Sequence, residues 1–331
     1  MAANYWSSSQ RLHWQMSREK LAEIRHNLDA QDEKAVQAYP LPSYRQLSIF
    51  FNSRTACPSQ LIRLGRRMQV RQQALATAQL YVRRFYTKVP IRDTNPFLVM
   101  ATCLYLALKM EECPQHIRIV VSEARSCFSD IMPAYPEKLA ECEFYVISEL
   151  NSYLIVHHPY RTLQELTPIL NLTSEDNSTS WQVINDSCVT DLPLIYPPHI
   201  IALTAIFLSV VLKSSPSQTS LHTTAAAAAA AAAAVATNPV ANVPAIPANT
   251  GGDFNGGGAS TNLSGNGQGQ QQNRVGRLIE WYAESKVDME AIIDCTQEII
   301  SLYEVWESLP PQAEKVFKEQ LCKMVKQRGI S

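Results

Sequence analysis

The sequence predicts an all-α protein built from two tandem five-helix repeats, with a helix ahead of them and a disordered insertion in the second. Three observations carry this. Apolar residues recur at helical spacing along most of the 331 residues, and no convincing run alternates as a strand would. Two segments, Phe97–Leu108 and Ile200–Leu212, are apolar on nearly every side, follow a proline and hold the third place in each set of five, as central helices wrapped by others should. Between residues 214 and 276 the composition shifts to alanine, proline, glycine, asparagine and glutamine, with too few apolar groups to offset the entropy of ordering.

Within an N-terminal segment of residues 1–42, Ser9–Asp29 carries Leu12, Met16, Leu21, Ile24 and Leu28 at helical spacing and reads as an amphipathic helix. Residues 43–155 hold the first set. An apolar-periodic stretch over 44–68 is broken by Pro58; in Arg71–Lys88, Leu75, Ala78, Val82 and Phe85 share a face while Arg71, Arg83 and Arg84 can face water. Pro90 ends that helix. Asn95 caps the next, with Pro96 in its first turn, and it runs to about Glu112. Helices near 117–127 and 136–153 complete the set.

Residues 156–308 hold the second set: Tyr160–Leu170, Ser180–Asp191, Pro198–Lys213, Arg277–Ser285 and Asp288–Glu307. The interruption at 214–276 includes ten consecutive alanines, Ala225–Ala234, and reads as a disordered loop insertion. Loop-closure entropy grows only logarithmically with length, so the fold tolerates it. Residues 309–331 remain as a C-terminal tail.

The formal net charge of −1 leaves no large electrostatic excess to draw nucleic acid or an anionic membrane. Met1–Arg11 lacks the apolar core of a secretory signal, and the longest apolar runs are too short to span a bilayer. The expectation is a soluble protein with no membrane and no direct nucleic-acid partner. The eight cysteines form no CxxC pair and no zinc-ribbon spacing, which predicts reduced structural thiols in an intracellular compartment and no metal.

Catalytic signatures are missing. There is no GxGxxG, Walker loop, HRD or DFG motif, and Asp253-Phe254-Asn255 resembles the last only superficially. His157-His158 lacks the i, i+4 spacing that aims two imidazoles at one metal and reads as part of a turn. No catalytic residue and no cofactor is expected. Arg63, Arg66, Arg67 and Arg71 cluster near a helix end; there they form a solvated cationic face or meet a phosphate or acidic partner. Leu106-Ala107-Leu108-Lys109-Met110-Glu111-Glu112 places a lysine and two glutamates at the exit of an otherwise apolar helix. Ala140-Glu141-Cys142-Glu143-Phe144-Tyr145 again sets acidic groups beside core positions.

On these residues the chain resembles the cyclin family: Tyr105–Glu112 matches the signature at the end of the third cyclin-box helix, and Glu141-Cys142-Glu143 matches the fifth. The resemblance narrows to the cyclin C subfamily through Ala3-Asn4-Tyr5-Trp6, Arg84-Phe85-Tyr86, His158-Pro159-Tyr160-Arg161, Val183-Ile184-Asn185-Asp186, Leu194-Ile195-Tyr196-Pro197-Pro198 and Val287-Asp288-Met289-Glu290. It covers residues 1–213 and 277–308, and departs at the Pro58 stretch and the long insertion.

The resemblance implies two cyclin boxes and a nuclear, non-catalytic regulatory subunit. Its expected partners are a cyclin-dependent kinase of the Mediator-associated type and other subunits of the Mediator kinase module. The kinase-binding roles fall on Lys109 and Glu143, with Glu112 and Glu149 as further acidic candidates on the same surface. A separate groove for another module subunit falls on Trp6, Asn185, Asp186 and Tyr303. Ordinary packing of Trp6, and local backbone bonding by Asn185 and Asp186, are the plainer readings. A transcription factor IIB-like nucleic-acid-binding protein is the alternative, disfavoured because no cysteine precedes Cys57 to build a zinc ribbon.

Overall fold

The structure, a computed structural model, describes residues 4–52, 60–128, 131–212, 266–310 and 312–330, with 52, 212 and 266–273 as backbone alone. Residues 214–265 of the expected insertion, and with them Asp253-Phe254-Asn255, lie outside the described residues, as do Cys57 and Pro58. Among the described residues every regular element is helical, as the all-α expectation requires.

Two turns of irregular helix, Tyr5–Ser7 and Gln10–Trp14, precede α1 (Arg18–Gln31) and α2 (Glu33–Ala38). The helix expected over Ser9–Asp29 is therefore interrupted. At the break the Met16 amide donates to the Leu194 carbonyl at 2.8 Å and Gln15 Nε2 to the Ile195 carbonyl at 3.2 Å. Ser17 then restarts the helix, its hydroxyl accepting from the Lys20 amide.

The first repeat is α3 (Tyr44–Asn52), α4 (Gln60–Arg67), α5 (Gln72–Phe85), α6 (Pro96–Met110), α7 (Ile117–Phe128) and α8 (Pro136–Glu149). Ser43 and Gln46 cap α3 reciprocally, the Ser43 amide bonding Gln46 Oε1 and the Gln46 amide bonding Ser43 Oγ. Gly65 lets α4 approach α5, since a Cβ there would lie 3.0 Å from the Leu75 side chain. Asn95 starts α6 by accepting from the Phe97 and Leu98 amides, and its own amide group donates to the Ile131 carbonyl at 2.8 Å. Phe97, Met100, Leu104 and Leu108 of α6 are wholly buried among the surrounding helices, each contributing about 1.5–3 kcal/mol.

The second repeat is α9 (Pro159–Ile169), α10 (Ser174–Ser187), the short α11 (Leu192–Ile195), α12 (Pro198–Leu212), α13 (Asn266–Glu284) and α14 (Met289–Ser308). The second helix begins earlier than periodicity predicts because Thr173 and Asp176 form a capping box. Helix α13 begins at Asn266, inside the stretch assigned to the insertion. Apolar α12 is the centre of this second core, with Ile292, Cys295 and Ile299 of α14 packed on it.

Two features depart from the sequence expectation. Arg83 and Arg84 do not face water; they are 8% and 0% exposed. Nearly the whole of α5 is buried, because α1, the N-terminal turns and the second repeat cover the face that α6 leaves free. The guanidinium of Arg84 lies 5.2 Å from the Trp14 ring and burial pulls it down to about 10. Residues 309–331, expected as a tail, contain α15 (Ala313–Arg328), whose Leu321, Met324 and Val325 are fully buried in the first-repeat core.

Candidate functional site

The last turn of α6 and the middle of α8 form the site. Apolar packing of α6 against α8 fixes the two backbones, and charged groups emerge at their edge. Lys109 Nζ donates to both carboxylate oxygens of Glu143, at 2.7 and 2.9 Å. The lysine side chain is 41% exposed and that of Glu143 is 11% exposed, so one member stays open to a partner while the other anchors it. The ammonium also sits 4.3 Å from the Tyr105 ring centroid. Partial burial depresses its pKa, and the bonds to Glu143 outweigh that, leaving Lys109 raised and charged.

Apolar surface adjoins the pair in sequence. Phe144 follows Glu143 on α8 and is 75% exposed, and Met110 follows Lys109 with a third of its surface or more in water. Phe144 and Met110 thus leave apolar surface next in sequence to each member of an ordered ion pair.

The other acidic candidates are placed differently. Glu112 stands just beyond α6 in the left-handed region, φ 53°, with its amide bonded to the Lys109 carbonyl. It shares the last-turn corner with Lys109. Glu149 ends α8, turned about 120° around that helix from Glu143. Its charge acts on Tyr145, helping burial to raise that phenol. The structure does not bring Glu149 to Lys109.

The four groove residues separate into smaller groups. Tyr303 OH donates to Asp186 Oδ2 at 3.2 Å, and the Tyr303 ring lies 5.4 Å from that of Trp306. Asn185 is buried and accepts from Tyr160 OH at 2.7 Å, while the Tyr160 ring lies 4.4 Å from that of Trp181. Asn185 and Asp186 thus each meet a phenol hydroxyl. Trp6 is 61% exposed, with its ring near those of Tyr5 and His199, so it is not packed into the core.

A chain of Aspergillus oryzae described as an RNA polymerase II holoenzyme cyclin-like subunit is 51% identical over 330 residues, covering 100% of this chain and 99% of that one. The chain belongs to the cyclin family. A Neurospora crassa chain of the same description is 45% identical over 352 residues, covering 100% of this chain and 99% of that one. The family profile for the cyclin N-terminal domain matches residues 23–155, a span that contains both Lys109 and Glu143. The fold is also similar to that of a chain in the CAK complex from Chaetomium thermophilum bound to ATP-γ-S. That likeness has a TM-score of 0.57 at 18% identity, and covers 98% of this chain and 93% of that one.

In this cyclin the structure adds a group that sequence reasoning missed. Glu111, between the matched Lys109 and Glu112, turns toward α5. Its carboxylate accepts from Thr77 Oγ1 at 2.6 Å and from Gln73 Nε2 at 2.7 Å. Thr77 also lies 2.6 Å from Nε2 of His158, which stands in the loop ahead of α9 as the turn reading expects. The available signal was Gln73 and Thr77 at i, i+4, which places two polar side chains on one face of α5. Within the Arg63 cluster, Arg63 bonds Gln60 and the Cys127 carbonyl and Arg67 pairs with Glu123 at 2.7 Å, while Arg66 and Arg71 are exposed. Among the described residues no group of three or more His, Cys, Asp or Glu could hold a metal, and no helix is long and apolar enough to cross a membrane.

Proposed function

We propose that this cyclin is a regulatory subunit that binds and activates a cyclin-dependent Ser/Thr kinase of the Mediator kinase module, and so regulates RNA polymerase II transcription in the nucleus. It supplies no catalytic group. The observation that carries the reading is the Lys109–Glu143 pair, bidentate at 2.7 and 2.9 Å and half open to solvent, next to the exposed Phe144. The names of the Aspergillus and Neurospora relatives support the link to RNA polymerase II.

The mechanism is a shift of population. A kinase must pair its β3 lysine with the glutamate of its αC helix before phosphates and Mg²⁺ are held correctly. A rigid surface that binds the inward αC position more tightly than the displaced one moves the equilibrium inward. Reversing a 1:99 ratio takes about 5.5 kcal/mol of differential binding. Lys109 and Glu143, held by each other and by α6 and α8, meet the αC region without first being ordered. Tyr303 and Asp186 of the second repeat, and exposed Trp6 of the N-terminal turn, are the residues offered to another module subunit.

The experiment is reconstitution of the full-length chain with the Mediator-associated kinase and a polymerase-tail peptide. Wild type should raise kinase activity, and Lys109→Ala with Glu143→Ala should abolish most of that rise while the cyclin stays folded. Full activation by the double variant would overturn the assignment.

A further inference from the structure

We propose that Glu111 is a positioning residue for the kinase-binding site and that it acts through a relay, His158 to Thr77 to Glu111, which ties that site to the second repeat. The proposal rests on the reading of Lys109–Glu143 given above.

The direction of the relay follows from chemistry. A carboxylate only accepts, so the single hydroxyl hydrogen of Thr77 goes to Glu111 Oε1, 2.6 Å away. The Thr77 oxygen must then accept from His158 Nε2, also at 2.6 Å, which fixes the hydrogen on that ring nitrogen. The second carboxylate oxygen is taken by Gln73 at 2.7 Å. Burial works against the charge on Glu111, yet nearby His158, whose Nε2 lies 3.8 Å from Oε1, and the Thr77 hydrogen bond hold its pKa below the usual glutamate range. Thr77 is fully buried, so the relay is a built connection and not a surface contact.

Its position gives it a consequence. Helix α6 ends at Met110 without a glycine; Glu111 is its C-cap, and Glu112 takes the left-handed conformation at φ 53°. A non-glycine residue there is disfavoured by roughly 1–2 kcal/mol, a cost offset by the backbone bonds that close the turn, Cys113 N–H to the Leu108 carbonyl among them, and by side-chain tethers from outside it. Glu111 provides such a tether on the α5 side, as Glu143 does through Lys109 on the α8 side. With the first tether cut, the last turn loosens and the Lys109 ammonium loses its fixed location. His158 precedes α9, where it stands as the N-cap residue. The seating of the second repeat is thereby felt at a kinase contact located wholly in the first.

The test compares Thr77→Ser with Thr77→Val in full-length cyclin titrated with the Mediator-associated kinase. Serine keeps the hydroxyl and loses a methyl; valine keeps the volume and loses the hydroxyl. A relay predicts that T77V weakens kinase affinity about tenfold, the loss of roughly 1.4 kcal/mol, while T77S stays within about twofold. His158→Ala should match T77V, and His158→Gln, which can still donate, should recover most of the affinity. Lys109→Ala runs alongside as the contact variant. Should T77S bind as weakly as T77V, Thr77 serves packing and the relay is wrong. Should K109A weaken binding while T77V and H158A match wild type, the relay fails and the kinase site stands. Should K109A itself match wild type, the site reading beneath the proposal fails.

Discussion

Arg83 and Asp191 meet at 2.8 Å across the junction of the two repeats, and the same carboxylate accepts a second arginine, Arg25 of α1, at 2.7 Å. Arg83 further donates to Ser48 Oγ and to the Cys188 carbonyl, each at 2.8 Å. Helix α1, the first repeat and the second repeat thus converge on one carboxylate. Removing one member of such a buried pair leaves an uncompensated charge, whereas replacing both by apolar groups often costs little.

Asp191→Ala should therefore destabilise the protein by about 3–5 kcal/mol. The combined Arg83→Met and Asp191→Leu variant should recover a large part of that loss. Urea denaturation followed by circular dichroism checks both; a double variant as unstable as the single one would show that the pair is worth more than its desolvation.

A pH dependence follows from the same carboxylate. Burial alone would raise the Asp191 pKa, but Arg25 and Arg83 more than reverse this and hold it at about 2. Because the folded value is depressed, the stabilisation is fully present above the unfolded value of about 4 and is lost as pH falls toward 2. It amounts to roughly 2 kcal/mol over that window. Denaturant midpoints at pH 5 and pH 3 should differ more for wild type than for Asp191→Asn, and equal slopes would remove Asp191 from the acid sensitivity.

The α15 helix should behave as core. Leu321→Ala is expected to cost about 2–5 kcal/mol, since Leu321 is fully buried beside Met324 and Val325 in the first-repeat cluster. Val316, exposed on the same helix, should tolerate alanine within about 0.5 kcal/mol. Equal, small effects at both positions in thermal unfolding would mean that α15 does not dock.

At the kinase surface, Lys109 and Glu143 should be coupled. Each single alanine variant is expected to weaken kinase binding by about 2–5 kcal/mol, and the double variant by clearly less than the sum. Isothermal titration of the four cyclins with the kinase measures the cycle. Strict additivity would indicate two independent contacts.

On the second repeat, Tyr303→Phe removes the hydroxyl that bonds Asp186 at 3.2 Å without disturbing the ring beside Trp306. It should lower co-purification of the other module subunits and leave kinase binding unchanged. A matching loss of kinase binding would argue against two separate surfaces.

Much of the fold was open to inspection in the residues. The apolar runs of α6 and α12, each behind a proline, announced two central helices, and Asn95 announced the start of one. Lys109 and Glu143 were found through the cyclin motif; helical spacing alone describes a charged helix end that reaches solvent. Their bonding at 2.7 Å depends on how α6 and α8 are set side by side, a property of packing.

Arg83, Arg84 and α15 mark where reading along the chain stopped. Helical periodicity assigns an angle to each side chain around its own axis, and it is silent about which other element later covers that angle. Two arginines on a polar stripe therefore pointed to water until α1, Trp14 and Asp191 were folded over them. Thr77, Glu111 and His158 are far apart in the chain and unremarkable one by one; a hydrogen bond of 2.6 Å forms between them only because α5, α6 and the approach to α9 converge. The residues specified helices, their caps and their apolar faces, which are set by local backbone sterics and side-chain burial. The junction, the docked last helix and the relay behind Lys109 arose from long-range contacts, whose free energy exists only once the chain has closed on itself.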